Sequence, residues 1–131
     1  MLETTILPQF SDSDALGHIN YQATVRWFET GRLPIYRIFV GDFEIADRFL
    51  AMVRMEVDYA GEMRLGSEVT VRTRITEIGR SSFHVRQEAF QQGRCCSSGH
   101  VVLVHYDLTT RKAIPITDEL RESLRRFSKT D

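Results

Sequence analysis

The chain has 131 residues, a net charge of −1 and a globular composition, with 42% hydrophobic and 27% charged residues. This length suits one domain with its own hydrophobic core, so we expect a single domain over 1–131. The near-neutral charge and the lack of a basic run interleaved with aromatic residues argue against a nucleic-acid surface. No apolar stretch is long enough to span a membrane, and the N-terminus lacks the pattern of a secretory signal.

Two cysteines, Cys95 and Cys96, are adjacent in the sequence. Neighbouring residues rarely reach disulfide geometry, and the pair lacks the Cys-x-x-Cys spacing of redox and metal motifs. The pattern favours two free thiols on opposite sides of a strand. Because free thiols are typical of a reducing compartment, we expect a cytoplasmic protein.

A short apolar segment at 5–7 predicts a first strand that ends before Pro8. The polar turn that follows leads into an apolar helix and gathers two carboxylates, an imidazole, a carboxamide and a phenol: Asp12, Asp14, His18, Asn20 and Tyr21. The first backbone N–H groups of a helix are unpaired and lie at the positive end of its dipole, which suits a carbonyl oxygen that gains negative charge. A nearby carboxylate can attack that carbonyl or activate water. The turn therefore predicts a site that hydrolyses a carbonyl compound.

Apolar residues recur at helical spacing from about 20 to 40 and fall on more than one side, which predicts a largely buried helix. Gly31 and Pro34 lie within this helix. Since proline removes a backbone donor, we expect a kink or a break there.

Beyond the helix, the apolar pattern changes to the alternation of half-buried strands. Four strands are predicted, at 49–59, 69–76, 83–89 and 95–108, followed by a helix with Thr117 as its N-cap. Short turns imply antiparallel pairing, so we predict an α+β fold in which one antiparallel sheet of about five strands wraps around the long helix, with a short C-terminal helix. The free sheet edge needs a partner, for which a homodimer is the natural solution.

Several segments are similar, in chain order, to segments of one known family. They read DSDALGHINY at 12–21, YAG at 59–61, LGSEV at 65–69, IGRSSF at 78–83 and VVLV at 101–104. This series resembles the hotdog-fold acyl-CoA thioesterases of the 4-hydroxybenzoyl-CoA thioesterase-like superfamily. The resemblance covers most of the chain, from about 10 to 120.

The resemblance implies a hotdog fold, with two chains side by side as a homodimer, or four as a dimer of dimers, and active sites at the interface. It implies hydrolysis of an acyl-CoA thioester without a cofactor. In the family branch with this opening motif, the catalytic carboxylate is the second aspartate, which is Asp14 here. A backbone N–H at the start of the central helix, that of Tyr21 here, polarises the thioester carbonyl.

Two catalytic roles stay open for Asp14: attack on the thioester to give a mixed anhydride, or deprotonation of water. The structural alternative is that Asp14 caps the helix or fixes the turn. We expect Asp12 to orient the loop through an Asx-turn, and His18 and Asn20 to line the substrate pocket. Although Asp12, Asp14 and His18 are of metal-binding types, their spacing matches no ligand motif, so we predict no metal.

A second candidate region is the turn formed by Arg80, Ser81 and Ser82. We predict that it contacts substrate, with Arg80 binding the phosphates of coenzyme A, together with Arg111 or Lys112. The alternative is a solvated hairpin.

Two rival functions are compatible with this fold. A hotdog hydratase would have an Asn-Pro pair between its aspartate and histidine, whereas Ala-Leu-Gly separates Asp14 from His18. A non-catalytic module that binds acyl thioesters is the alternative outside enzymes. The acyl group, and the choice between coenzyme A and acyl carrier protein, are left open by the sequence.

Overall fold

The computed structural model describes residues 1–40 and 48–128, which form two helices and one six-stranded antiparallel sheet. The elements, in chain order, are β1 (Leu2–Ile6), a 3₁₀ turn (Phe10–Asp12), α1 (Tyr21–Val40), β2 (Arg48–Tyr59), β3 (Val69–Ile78), β4 (Ser82–Gln91), β5 (Arg94–Asp107), β6 (Lys112–Ala113) and α2 (Asp118–Arg125). The sheet order is β1-β3-β4-β5-β2, and the short β6 pairs with β5. This arrangement confirms the predicted antiparallel sheet, long helix and short C-terminal helix.

Helix α1 packs its buried stripe against one face of the sheet. That stripe recurs every three to four residues, as helical periodicity requires, and comprises Ala23, Thr24, Trp27, Phe28, Gly31, Arg32 and Ile35. Alternate residues of β3, β4 and β5 face it, and helix α2 covers the far end of the core through Leu124. The first turn of α1 therefore lies over one end of the sheet, where the polar turn enters it.

Helix α1 continues through Pro34 to Val40, so of the kink or break expected at the proline the break is wrong. Arg32 and Ile35 are buried on either side of Pro34. Packing of both flanks outweighs the loss of one backbone donor. Gly31 allows α1 to approach β3 closely, since a Cβ at this position would lie 2.9 Å from Cγ1 of Val71.

Strand β2 is an edge of the sheet: it pairs with β5, and no described strand pairs with its other side. A register shift between Met52 and Arg54 leaves Val53 without a partner residue in β5. The expected half-burial of this strand is wrong over most of its length, with Met52, Val53 and Met55 exposed by 40%, 62% and 44%. A long edge that exposes apolar side chains is available for pairing with another chain.

Two smaller predictions are confirmed. The hydroxyl of Thr117 accepts a hydrogen bond from the backbone N–H of Leu120 and caps α2. Cys95 and Cys96 are free thiols, of which Cys96 lies in the core and Cys95 contacts Glu88 on the outer face. Within 1–40 and 48–128, no helix is both long and apolar enough to cross a membrane.

Candidate active site

Backbone hydrogen bonds hold the polar turn in place before α1. The N–H of Asn20 donates to the carbonyl of Asp12, and the N–H of Ile19 donates to that of Met63, each at 2.8 Å. Gly17 has a φ of +78°, a left-handed conformation that favours glycine. The turn is thus fixed both internally and against the loop that follows β2.

Asp14 is exposed, and one of its carboxylate oxygens fixes the turn. Oδ1 accepts hydrogen bonds from the backbone N–H groups of Leu16 at 2.8 Å and His18 at 3.1 Å. Chiefly the Leu16 bond, with help from the His18 N–H and ring, lowers the pKa of Asp14 below its ordinary value of 3.8. Oδ2 receives no hydrogen bond from the described residues. At neutral pH the site therefore presents a carboxylate with one oxygen that no described residue binds.

The start of α1 is capped by Asn20, not by Asp14. Oδ1 of Asn20 accepts a hydrogen bond from the N–H of Ala23 at 2.8 Å. The N–H of Tyr21 has no acceptor among the described residues. This donor is therefore available at the positive end of the helix dipole, where it can stabilise an oxyanion.

Tyr59, at the end of β2, ties that strand to the helix start. Its hydroxyl donates to the carbonyl of Tyr21 at 2.9 Å, and the two rings meet edge to face with centroids 4.8 Å apart. Burial, followed by the neighbouring Tyr21 phenol, raises the pKa of Tyr59, so the phenol remains protonated and able to donate.

These groups border a cavity of about 430 Å³. Its lining includes four residues that the sequence predicts for the site: Asp14, His18, Asn20 and Tyr21. It also includes residues that the sequence does not assign to the site, among them Thr24, Tyr59, Glu62, Met63 and Ser97. The second group comes from α1, β2, the following loop and β5, and tertiary packing alone brings it to the polar turn.

His18 lies at the cavity wall beside Glu62. Its Nε2 is 3.6 Å from Oε2 of Glu62, and the same oxygen is 3.7 Å from Nη2 of Arg64. A second, more polar cavity of about 540 Å³ shares Glu62 with the first and is lined by Arg64 and Arg94. The two guanidinium groups make this neighbouring cavity suitable for an anionic group.

Asp12 does not line the cavity, and its carboxylate binds two neighbouring parts of the chain. It is 7% exposed; its Oδ2 accepts from the N–H of Gln9 at 2.7 Å and its Oδ1 from Nη2 of Arg26 at 2.8 Å. Asp12 therefore orients the loop as expected, but the expected Asx-turn is wrong, since that contact is made by Asp14 to Leu16. Among residues 1–40 and 48–128, no group of three or more metal-binding side chains is placed to hold an ion.

Arg80, Ser81 and Ser82 lie at the β3–β4 turn, at the opposite end of the sheet from the cavity. The cavity lies near the end at which Val69 pairs with Gln91, whereas the turn follows the pair Ile78–Phe83. Within one chain the structure does not bring these three residues to the cavity. Their predicted contact with substrate stays a prediction.

A sequence model of the thioesterase-like superfamily matches residues 8–124. A structure described as a predicted thioesterase from Bacillus stearothermophilus is 37% identical, with a TM-score of 0.92, over 98% of this chain and 97% of that one. A thioesterase from Thermus thermophilus, solved with coenzyme A and zinc, is 29% identical with a TM-score of 0.82, over 94% and 96% of the two chains. The uncharacterized protein YsmA of Bacillus subtilis (strain 168) is 26% identical over 118 residues, covering 88% of this chain and 80% of YsmA.

Proposed function

This chain belongs to the thioesterase-like superfamily, with the hotdog fold that its sequence predicts, and we propose that it hydrolyses an acyl-CoA thioester to a free acid and coenzyme A. The observation that best supports this proposal is the shared cavity of the Asp14 carboxylate and the Tyr21 N–H. One oxygen of Asp14 is unoccupied, and the N–H has no acceptor in the described part of the chain. We assign Asp14 as the nucleophile or base and the Tyr21 N–H as the donor to the developing oxyanion, since both residues line this one cavity.

In the proposed reaction the thioester carbonyl oxygen accepts a hydrogen bond from the Tyr21 N–H. Asp14 then either attacks the carbonyl carbon or removes a proton from a water that attacks it. The C–S bond breaks, and coenzyme A leaves as a thiolate that takes up a proton. In the first route water hydrolyses the mixed anhydride and regenerates Asp14. No cofactor is required in either route.

Coenzyme A is the proposed carrier because a relative of the same fold was solved with it. The Thermus thermophilus protein binds coenzyme A in its structure and is 29% identical to this chain. We place the acyl group of the substrate in the cavity, with His18 and Asn20 lining it. We also propose that the protein acts in the cytoplasm, consistent with its free thiols.

We propose that two chains pair through β2 to form a homodimer. This 12-residue strand exposes apolar side chains along an edge without a described neighbour. Antiparallel pairing of β2 with its own copy satisfies both edges at once through a two-fold axis. A dimer of dimers is the corresponding proposal for a tetramer.

Such a dimer explains how Arg80 could act on a substrate that it does not approach within its own chain. Tyr59, at the cavity, ends β2, and the β3–β4 turn lies at the end where β2 begins, because Ser82 pairs with Val104 and Val104 with Ala51. A two-fold axis near the middle of β2 places the partner's β3–β4 turn at the cavity end of the joint sheet. The cavity and the partner's β3–β4 turn are then three to four strand spacings apart, roughly 15–20 Å, a distance that an extended coenzyme A can cover.

The direct test is release of free thiol from a panel of aliphatic and aromatic acyl-CoA thioesters, with the Asp14→Asn protein measured in parallel. We expect release from one acyl class, and its near-complete loss in the variant. Tight binding of acyl-CoA without thiol release would contradict hydrolysis and support a binding module. The protein could instead neither cleave nor bind CoA thioesters but release thiol from an acyl carrier protein thioester. That result would overturn coenzyme A as the carrier.

A further inference from the structure

Ser97 places a buried hydroxyl group at the cavity without a hydrogen-bond partner. The residue lies on β5, is 1% exposed and lines the same cavity as Asp14 and Tyr21. Its Oγ forms no hydrogen bond with any of the described residues. Buried side-chain hydroxyls are ordinarily paired, so an unpaired one beside a cavity points to a partner that enters from the cavity.

Packing alone does not account for a serine at this position. Ser97 faces α1 on the inner side of the sheet, and the residue opposite it on β4 is Ala89, which is fully buried. An alanine would fill the Ser97 position without placing an unpaired hydroxyl group in the core, which is destabilising. The described residues therefore leave the serine oxygen able to bind a group in the cavity.

The surroundings of Ser97 locate the group it would bind. On its other side Ser97 pairs with Tyr59, whose hydroxyl binds the carbonyl of Tyr21 at the start of α1. Thr24, one helical turn further along α1 and 2% exposed, lines the same cavity. An acyl group whose carbonyl binds the Tyr21 N–H would therefore occupy a cavity whose wall includes Thr24 and Ser97.

We propose that Ser97 selects acyl thioesters whose acyl group bears a hydroxyl or oxo oxygen a few bonds from the thioester carbonyl. This inference rests on the proposed acyl-thioester function and specifies its substrate class. A serine hydroxyl can donate to an oxo group and can donate to or accept from a hydroxyl group. A plain alkyl chain in the same place leaves the serine unpaired, and sites with such buried groups discriminate against substrates that lack the matching polar atom.

The test compares matched pairs of substrates, butanoyl-CoA with 3-hydroxybutanoyl-CoA and hexanoyl-CoA with 3-hydroxyhexanoyl-CoA. For the wild-type protein we expect a kcat/KM about tenfold or more higher for the oxygenated member of each pair. In Ser97→Ala this preference should disappear, through a fall for the oxygenated substrates and an unchanged or higher value for the alkyl ones. Ser98→Ala is the matched control, since Ser98 is the next residue on β5 and faces the other side of the sheet.

An equal change of kcat/KM for both members of each pair in Ser97→Ala would overturn the inference, because it would indicate a packing role. A preference of the wild-type protein for the alkyl substrates would overturn it as well. If no thioester is cleaved, calorimetric titration of the same pairs into the Asp14→Asn and Asp14→Asn/Ser97→Ala proteins separates the two proposals. Loss of the oxygen-dependent affinity difference with Ser97→Ala would support the binding role of Ser97 even though hydrolysis had failed.

Discussion

The backbone N–H of Leu16 donates to Oδ1 of Asp14 at 2.8 Å, so the proposed catalytic carboxylate is also a structural element of its own turn. The two roles are divided between its two oxygens, because Oδ1 binds the turn and Oδ2 is unoccupied by the described residues. Capping of α1 is left to Asn20. This division allows substitutions that separate chemistry from structure.

Asp14→Asn should remove activity and keep the fold. The asparagine amide oxygen can still accept from the Leu16 and His18 N–H groups, but the amide is neither a base nor a nucleophile. We expect kcat to fall by at least about 10²-fold, the lower range for loss of a general base. The urea midpoint should stay at the wild-type value. Asp14→Ala should lower both quantities, and wild-type kcat in Asp14→Asn would refute the catalytic role.

The pH dependence of hydrolysis should follow a carboxylate whose pKa is lowered. Asp14 must be ionised to act, and the Leu16 and His18 N–H groups hold its pKa below 3.8. Activity should therefore stay constant from pH 8 down to pH 5. It should fall only at pH values below the ordinary pKa of an aspartate side chain. We would measure kcat/KM across this range, with circular dichroism at each pH to monitor folding. An acidic limb near pH 6.5, about the ordinary pKa of histidine, would identify a histidine as the base instead.

Asp12 should matter for stability and not for turnover. Its nearly buried carboxylate binds the Gln9 N–H and the Arg26 guanidinium, and it does not line the cavity. Removing both bonds in Asp12→Ala should lower the free energy of unfolding by about 1.5–3 kcal/mol, as measured in urea. Arg26→Ala should cost less, because the Gln9 bond remains. A variant with wild-type stability but no turnover would assign Asp12 to the chemistry.

The sequence predicts the helix, the strands and the polar turn because each depends on local pattern. It also predicts four cavity residues, Asp14, His18, Asn20 and Tyr21, since they are neighbours in one motif. Ser97 could not be found in this way. Tyr59 lies in one of the segments that resemble the family, but only the pairing of β2 with β5 brings it and Ser97 to the helix start.

Two predictions that the structure contradicts, the break at Pro34 and the half-burial of β2, have tertiary causes. Pro34 does not break α1, because the helix is packed against the sheet on both sides of the proline. Strand β2 alternates like a half-buried strand but lies at an edge, where its apolar side chains are exposed. An alternating sequence pattern is the same whether the apolar face is buried by its own chain or by a partner chain. Mutation of β2 can therefore test whether a second copy covers this face.

Val53→Lys should dissociate the proposed dimer. Val53 lies near the middle of β2, is 62% exposed and has no partner residue in β5, so the substitution leaves the core of the chain intact. Near a two-fold axis each lysine would face its own copy, and like charges would oppose pairing. We expect a dimer for the wild-type protein and a monomer with reduced activity for the variant, by light scattering after gel filtration. Thr5→Lys, on the opposite edge strand β1, is the control that should remain dimeric; the reverse pattern would place the interface at β1.

Arg80→Ala should raise KM for acyl-CoA substrates without a comparable change in kcat. In the proposed dimer, Arg80 of the partner subunit lies where the coenzyme A phosphates extend from the cavity, and a guanidinium binds phosphate through charge-assisted hydrogen bonds. Loss of such contacts should raise KM by about tenfold, given about 1.5 kcal/mol for a hydrogen bond to a charged group. The KM of the matching acyl-pantetheine, which lacks the diphosphate and nucleotide, should not change. Arg64→Ala is the paired comparison: if it, and not Arg80→Ala, raises KM only for the CoA thioester, the phosphates lie over the neighbouring cavity of the same chain.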